Sequence, residues 1–253
     1  MSTIHRGEPS GHTRFVYPET GAGGFTHLDG TVQFYGRVSA LLEPSHTIAD
    51  LGAGRGSFLE DPVSYRRELR RLQGKAHRVI GLDIDPVVLS NPTVDEAHVL
   101  VPGGPFPLSD GSVDLIVSDF SLEHVDDPDQ LAAEIRRVLR PGGWFCARTP
   151  NKWGYIGVAA RIVPNRLHSA VLRRLQPTKP ERDTFPTRYR MNTLAELRRR
   201  FPPSEFVHCS YAMECEPTYV GTSRALQRAT GSVLALLPRR FGSVLYVFVQ
   251  KRP

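Results

Sequence analysis

The 253 residues predict an α/β fold, a doubly wound and mostly parallel sheet with helices on both faces, and three observations carry that expectation. From Ile48 to Thr149 short apolar runs alternate with segments of helical periodicity, the rhythm of βαβ units rather than of hairpins. The first run, Ile48-Ala49-Asp50-Leu51, gives way to Gly52-Ala53-Gly54-Arg55-Gly56, where backbone free of side chains turns tightly and brings amide groups close to a ligand. The second run, Val79-Ile80-Gly81-Leu82, ends at Asp83, 27 residues past the loop, the spacing of a ribose-binding acid in nucleotide-binding βαβ units. Loop and acid together point to an adenosine-type cofactor.

Taken in order, residues 1–47 begin polar and glycine-rich, then place Val32, Tyr35, Val38, Leu41 and Leu42 on one face of a helix over 31–42. This segment reads as a flap and helix covering the ligand end of the sheet. Residues 48–150 form the cofactor-binding core, with strands at 48–51, 78–82, 97–100, 113–118 and 144–148 and helices over 56–73, 86–90 and 128–139. The turn Asp110-Gly111-Ser112 starts one strand, and Arg140-Pro141-Gly142-Gly143 ends a helix before the next. Residues 151–190 break the rhythm: helices at 155–163 and 167–175, then a loop with Pro177, Pro180 and Pro186, read as a lid insertion above the strand ends. Residues 191–253 close the sheet with a helix from Asn192 to Phe201, capped by Thr193 and Glu196, a strand at 205–211, a helix over 222–237 and a strand at 243–250. The whole is one domain.

Composition excludes several classes. No apolar run approaches the roughly 20 residues that span a bilayer, and the first residues lack the apolar block of a signal peptide, so a cytoplasmic location is expected. Cys146, Cys209 and Cys215 suggest neither a disulfide framework nor a zinc site. A net charge of +6 fits an acidic partner or simply a solvated arginine-rich surface.

Asp50-Leu51-Gly52-Ala53-Gly54-Arg55-Gly56, Gly81-Leu82-Asp83-Ile84-Asp85, Phe106-Pro107-Leu108 with Asp110-Gly111-Ser112-Val113-Asp114, Leu122-Glu123-His124-Val125 and Arg137-Val138-Leu139-Arg140-Pro141-Gly142-Gly143 resemble, in order and spacing, the class I S-adenosylmethionine-dependent methyltransferases, nearest the type 11 subgroup. The resemblance covers residues 48–149. It implies a Rossmann-like seven-stranded sheet whose last strand is antiparallel, and S-adenosylmethionine as cofactor with S-adenosylhomocysteine as product. Carried over by position, Gly52, Ala53, Gly54 and Gly56 support the methionine part of the cofactor. Asp50 orders the loop and meets the amino group, Asp83 accepts the ribose hydroxyls, and Ile84 packs on adenine. Ser118 and Asp119 contribute main-chain carbonyls toward the ammonium. Many relatives place an acid ahead of the Leu-Pro-Phe-like segment to hold adenine's amino group. Here that stretch is Val101-Pro102-Gly103-Gly104, leaving main-chain groups, or Asp95 or Glu96, for the task.

Each residue also has a structural reading: the glycines as a tight turn, Asp83 as a helix cap before Pro86, Asp119 as a turn cap, Asp114 as strand-start structure. A sulfonium is already an activated methyl donor, so a hydroxyl acceptor needs only alignment, dryness and a base. His124 is the first candidate for that base, with Asp119 and Glu123 behind it; His124 alternatively only shapes the pocket or bonds the cofactor. Asp119 and Asn151 lack a paired acid, so no metal is expected. The basic lid, Arg161, Arg166, Arg173, Arg174, Lys179, Arg182, Arg188 and Arg190, suits an anionic or lipid-linked acceptor or a peripheral membrane contact, or serves solubility. Tyr17, Phe25, Tyr35, Trp153, Tyr155 and Tyr189 either line an aromatic pocket or pack. The reading is methyl transfer to a small molecule, most simply at a hydroxyl oxygen. RNA methylation and a non-catalytic cofactor-binding or assembly protein are the alternatives; nucleic acid is disfavoured by the lack of a recognition motif.

Overall fold

The computed structural model describes residues 15–154, 187–215 and 237–253. The two expected lid helices, most of the basic residues assigned to the lid, Tyr155, and all but the last residue of the expected 222–237 helix lie outside them. Helices α1 (Gly30–Leu41), α2 (Ser64–Arg70), α3 (Pro128–Val138) and α4 (Leu194–Arg200) accompany strands β1 (Thr47–Leu51), β2 (Arg78–Asp83), β3 (Glu96–Val99), β4 (Val113–Asp119), β5 (Leu139–Pro150), β6 (Phe206–His208), β7 (Tyr211–Met213) and β8 (Val244–Lys251).

The strand order is β3-β2-β1-β4-β5-β8-β6, with β7 also on β8. Strands β1 to β5 pair in parallel, and β8 runs antiparallel to β5 and to both β6 and β7. β6 and β7 are halves of one strand in unbroken register, His208 opposite Val249 and Tyr211 opposite Tyr246. The pairing lapses between them because the Ser210 hydroxyl accepts the Phe248 amide at 3.0 Å in place of a main-chain carbonyl. The sheet is therefore seven-stranded and mostly parallel, with the last strand reversed.

Side-chain alternation splits the core into two layers. One face of β4, β5 and β8 packs Ile116, Phe145, Ala147, Leu245 and Val247 against Ile135 and Val138 of α3 and Leu197 of α4. The other packs Leu115, Val117, Cys146, Tyr246 and Phe248 against Phe34, Tyr35 and Val38 of α1. This pattern of buried residues is what fully covered parallel strands require.

Several boundaries move from those expected. The helix predicted over 56–73 is a 3₁₀ turn at Ser57–Glu60 followed by α2, because Pro62 cannot continue a helix and Asp61 turns to accept the Val63 amide at 2.9 Å. The 86–90 segment is a 3₁₀ turn capped by Asp85. Strand β5 begins at Leu139 rather than 144, with a register shift between Val113 and Leu115 that absorbs Arg140 to Gly143. Thr193 does cap α4, accepting the Glu196 amide at 3.1 Å, but the Glu196 carboxylate pairs with Arg199 and Arg200 instead of closing a capping box. The arginines around α3 tie elements together: Arg136 reaches Glu205 at 2.8 Å, Arg137 reaches Glu134 at 2.6 Å and Arg140 reaches Asp114 at 2.6 Å. Nucleic acid is not needed to explain them.

Candidate functional site

The carboxyl ends of β1, β2 and β4 bring Asp50, the glycine loop, Asp83 and Asp119 to one edge of the sheet. The loop is seated from three sides. From above, Gly52 donates to the Leu82 carbonyl at 2.7 Å and the Gly54 amide donates to Asp83 Oδ2 at 2.8 Å. From below, buried Asn91 donates to the carbonyls of Ala53 and Gly54 at 3.0 and 3.1 Å. From the side, the loop after β4 presses so closely that a Cβ on Gly52 would lie 2.0 Å from Ser121 Oγ. Gly52, Gly54 and Gly56 all have left-handed φ, +80°, +52° and +74°, so glycine at each follows from backbone geometry. Gly56 also faces Asn91 Oδ1, 2.7 Å from where a Cβ would sit.

Asp83 uses one lone pair on each oxygen, for Gly54 and, at 2.9 Å, for the Asp85 amide. A carboxylate has about four acceptor sites, so two remain for a pair of hydroxyls. Ile84 beside it is 52% exposed and Val101, following β3, 73%, two large apolar groups left in water at this edge. The alternative adenine partners Asp95 and Glu96 lie at the start of β3 and have protein partners of their own. Asp95 is tied to the Val79 amide at 2.8 Å, four residues and roughly 13 Å down β2 from Asp83, and Glu96, opposite Ile80, pairs with Arg78 and with His98.

Asp119 stands differently from the sequence expectation. Arg148, from β5, grips both its oxygens at 2.7 and 2.8 Å, Arg70 reaches it at 3.3 Å and the Tyr35 hydroxyl donates at 3.3 Å. Burial alone would raise the Asp119 pKa, but Arg148, Arg70 and Tyr35 outweigh it and hold the carboxyl below its ordinary range. Arg148 also donates to Thr31 Oγ1 at 3.1 Å and lies over the rings of Phe34, Tyr35 and Phe120, fastening α1 to the strand edge. Phe120 itself has φ +55°, a strained non-glycine position that begins the loop after β4.

Asp50 lies between these groups. Burial first, then the negative charge of Asp119, raise its pKa to about 7, with Asp83 adding and Arg70 opposing. A raised carboxyl pKa favours the free fold while the group is protonated, so this contribution is fully present below about pH 4 and lost as pH rises to about 7. A cationic ligand group requires the ionised form. Affinity for S-adenosylhomocysteine should therefore rise from pH 6 to 8 and flatten above, with up to a tenfold loss per pH unit below about 7. Calorimetry across that range checks this, and Asp50→Asn should flatten the profile.

On the opposite face of the sheet a second buried polar group forms. The Thr149 hydroxyl donates to Glu123 Oε2 at 2.9 Å and accepts from Asn192 Nδ2 at 2.7 Å. The Glu123 carbonyl accepts the Arg188 and Tyr189 amides, tying that segment to the loop after β4. Burial dominates and raises the Glu123 pKa, against the lowering effects of its hydrogen bonds and of His124. His124 follows directly in the 3₁₀ turn Leu122–His124 and is partly exposed. The Ser118 side chain is fully buried, and its hydroxyl has no partner among the described residues.

The aromatic candidates divide. Tyr35 is core, Phe25 stacks on Tyr65 at 5.4 Å, Tyr17 meets His27 edge-on, and Trp153 is exposed. Asn151 is spent on the carbonyls of Arg240 and Gly242. Among the described residues no group of three or more His, Cys, Asp or Glu side chains is placed to hold a metal ion, and no helix is long and apolar enough to cross a membrane. Arg70, Asn91, Ser121 and Arg148 escaped the sequence reading. Only Arg148 carried a signal, as the one charge within the apolar run Trp144–Thr149.

The strand order and the loop and acids at this edge are those of a Rossmann-like α/β domain. Residues 49–147 match the family model described as "Methyltransferase domain". A Mycolicibacterium smegmatis protein described as a probable S-adenosylmethionine-dependent methyltransferase is 43% identical over 82 residues, covering 30% of this chain and 31% of that protein. The ubiquinone/menaquinone biosynthesis C-methyltransferase UbiE of Acidiphilium cryptum is 26% identical over 198 residues, 66% of this chain and 76% of that one. The crystal structure of an S-adenosylmethionine-dependent methyltransferase from Mesorhizobium loti shares the fold with a TM-score of 0.51 at 19% identity, covering 88% of this chain and 99% of that one. The first match thus spans about a third of its relative's length.

Proposed function

We propose that this protein methylates a small-molecule acceptor at a hydroxyl oxygen, using S-adenosylmethionine. One observation carries the donor half: Asp83 is latched to the Gly54 amide, so ribose acid and glycine loop form one preassembled surface. S-adenosylmethionine, when bound, supplies a methyl group already activated by its sulfonium. Asp50 meets the ammonium, Asp83 the ribose hydroxyls, Ile84 the adenine face, and Ser118 and Asp119 contribute through their main chain.

The acceptor half rests on the turn after β4. His124 is our candidate to take the acceptor's proton, because it is partly exposed in the 3₁₀ turn that follows β4. Asp119 is the poorer base, since both its oxygens are held by Arg148. Its part is to anchor the strand edge. The A. cryptum relative is named for methylation at carbon, so the oxygen assignment depends on this proton acceptor and not on kinship.

Labelled donor with a panel of hydroxyl, amine and activated-carbon acceptors tests the reading. His124→Ala should lower turnover on a hydroxyl acceptor by about 10²–10⁴-fold while changing S-adenosylhomocysteine affinity less than twofold. Near-normal turnover would remove His124 as the base, and label moving only to nitrogen or carbon would remove the oxygen assignment. RNA methylation has one feature in its favour, the net positive charge. Weak RNA binding that vanishes with salt, without methyl transfer, would count against it.

A further inference from the structure

The loop after β4 serves two neighbours. Its Ser121 presses on Gly52 of the glycine loop, and two residues further on the Glu123 carbonyl accepts the amides of Arg188 and Tyr189 at 2.6 and 3.2 Å. Residues 187–192 thus lie as a strap against the turn Leu122–His124. The surface fastening of this strap is weak. Arg188 meets Asp126 at 2.7 Å, but the two side chains are 46% and 68% exposed, and an ion pair so open to water holds little. Tyr189 has φ +53°, a left-handed conformation that a side chain keeps only where its surroundings impose it. The strap therefore needs a hold from inside.

The buried chain from Asn192 to Glu123 supplies that hold, and its direction follows from the atoms. The Pro150 carbonyl can only accept, so the Asn192 atom 3.0 Å from it is the amide nitrogen, which also reaches Thr149 Oγ1 at 2.7 Å. The Thr149 hydroxyl accepts there and gives its one proton to Glu123 Oε2 at 2.9 Å. Donation runs one way, from the strap through β5 to the turn after β4. The circuit closes where the Glu123 carbonyl returns to the strap. Thr149 and Asn192 are fully buried, and Asn192 Oδ1 has no partner among the described residues, which costs stability. An apolar residue would fill the space without that cost, so the asparagine is explained by the bonds it directs.

We propose that Thr149 and Asn192 are positioning residues for the acceptor side of the site: acting through Glu123, they set the strap and the turn Leu122–His124 in one arrangement. They work without touching cofactor or acceptor. This rests on the reading above that the turn after β4 faces the acceptor. It goes beyond that reading by assigning the geometry of the turn to residues of β5 and of the strap, which take no part in the surface formed by Asp83 and the glycine loop. If the three side chains served only to stabilise the fold, their loss would weaken donor binding and turnover together.

Thr149→Val keeps the shape of the side chain and removes its hydroxyl. On an acceptor found with labelled donor it should lower kcat roughly tenfold or more, while the KM for S-adenosylmethionine and the affinity for S-adenosylhomocysteine stay within about twofold. Hydrogen exchange, read by mass spectrometry in peptides spanning residues 187–193, should quicken by about tenfold or more at the Arg188 and Tyr189 amides. Thr149→Ser restores the hydroxyl and should bring both readouts back to within about threefold of the parent. Asn192→Ala should act as Thr149→Val does, and the two together should cost little more than either, because both break one chain. If donor affinity falls as far as kcat, the role is structural and the proposal fails. Unchanged exchange, or turnover equal to the parent's, also overturns it. A melting temperature identifies unfolding, and should Thr149→Val unfold, Asn192→Ala carries the same expectations. If S-adenosylhomocysteine binds but no acceptor is methylated, the acceptor reading itself falls, and this assignment with it.

Discussion

Gly52→Ala should abolish measurable S-adenosylhomocysteine binding, a loss of at least 100-fold, and lower the melting temperature by roughly 5–10 °C. Two costs add. At φ +80° a side chain pays the left-handed penalty, about 1–2 kcal/mol. The new Cβ would also lie 2.0 Å from Ser121 Oγ and 2.7 Å from Ser121 Cβ. Rotating the serine hydroxyl relieves the first contact and not the second, so the loop after β1 or the turn after β4 must move. Movement of the glycine loop pulls the Gly54 amide from Asp83. Gly74 provides the control, since it has the same φ of +80° but nothing within 4 Å of a Cβ. Gly74→Ala should cost stability through strain alone and leave affinity untouched. Adding Ser121→Gly to Gly52→Ala should recover part of the binding. Unchanged affinity in Gly52→Ala would mean that the loop does not approach the cofactor.

The sequence made this loop legible because three glycines in a short spacing after an apolar run mark a tight turn, and the acid at 83 pointed to a nucleoside ligand beside it. The parallel order of β1 to β5 was legible for a related reason: apolar runs separated by helical segments leave little topological freedom. Helix bounds were less so. Periodicity carried the expected helix through Pro62, where the chain breaks into a 3₁₀ turn and a separate α2. Least legible was the polar interior. Asp119 was readable as a residue at a strand end, but its partner Arg148 comes from another strand, and Tyr35 and Arg70 from two helices. Pairing across such separations is set by tertiary geometry, which no local pattern encodes. The same holds for Glu123, Thr149 and Asn192, brought together on the opposite face by strand alternation.

Asp119→Asn should destabilise the protein by about 3–5 kcal/mol, read by urea denaturation, and more than the paired substitution Asp119→Asn with Arg148→Met. The Arg148 and Asp119 side chains are only 7% and 10% exposed. Neutralising the acid alone leaves a guanidinium among Phe34, Tyr35, Phe120 and the Thr31 hydroxyl with no counter-charge. A buried ion pair contributes little net stability against a neutral replacement, because desolvation offsets its attraction; a single buried charge has no such offset. The double variant should therefore recover much of the loss, giving a coupling energy of at least 1–2 kcal/mol in the cycle. A second readout reports on the site itself. The Asp119 charge is one of the causes that lift Asp50 to about 7, so removing it should shift the pH midpoint of S-adenosylhomocysteine affinity downward. Strictly additive substitutions, each below 1 kcal/mol and with an unmoved midpoint, would show that Asp119 and Arg148 are solvated independently and that the anchoring role is wrong.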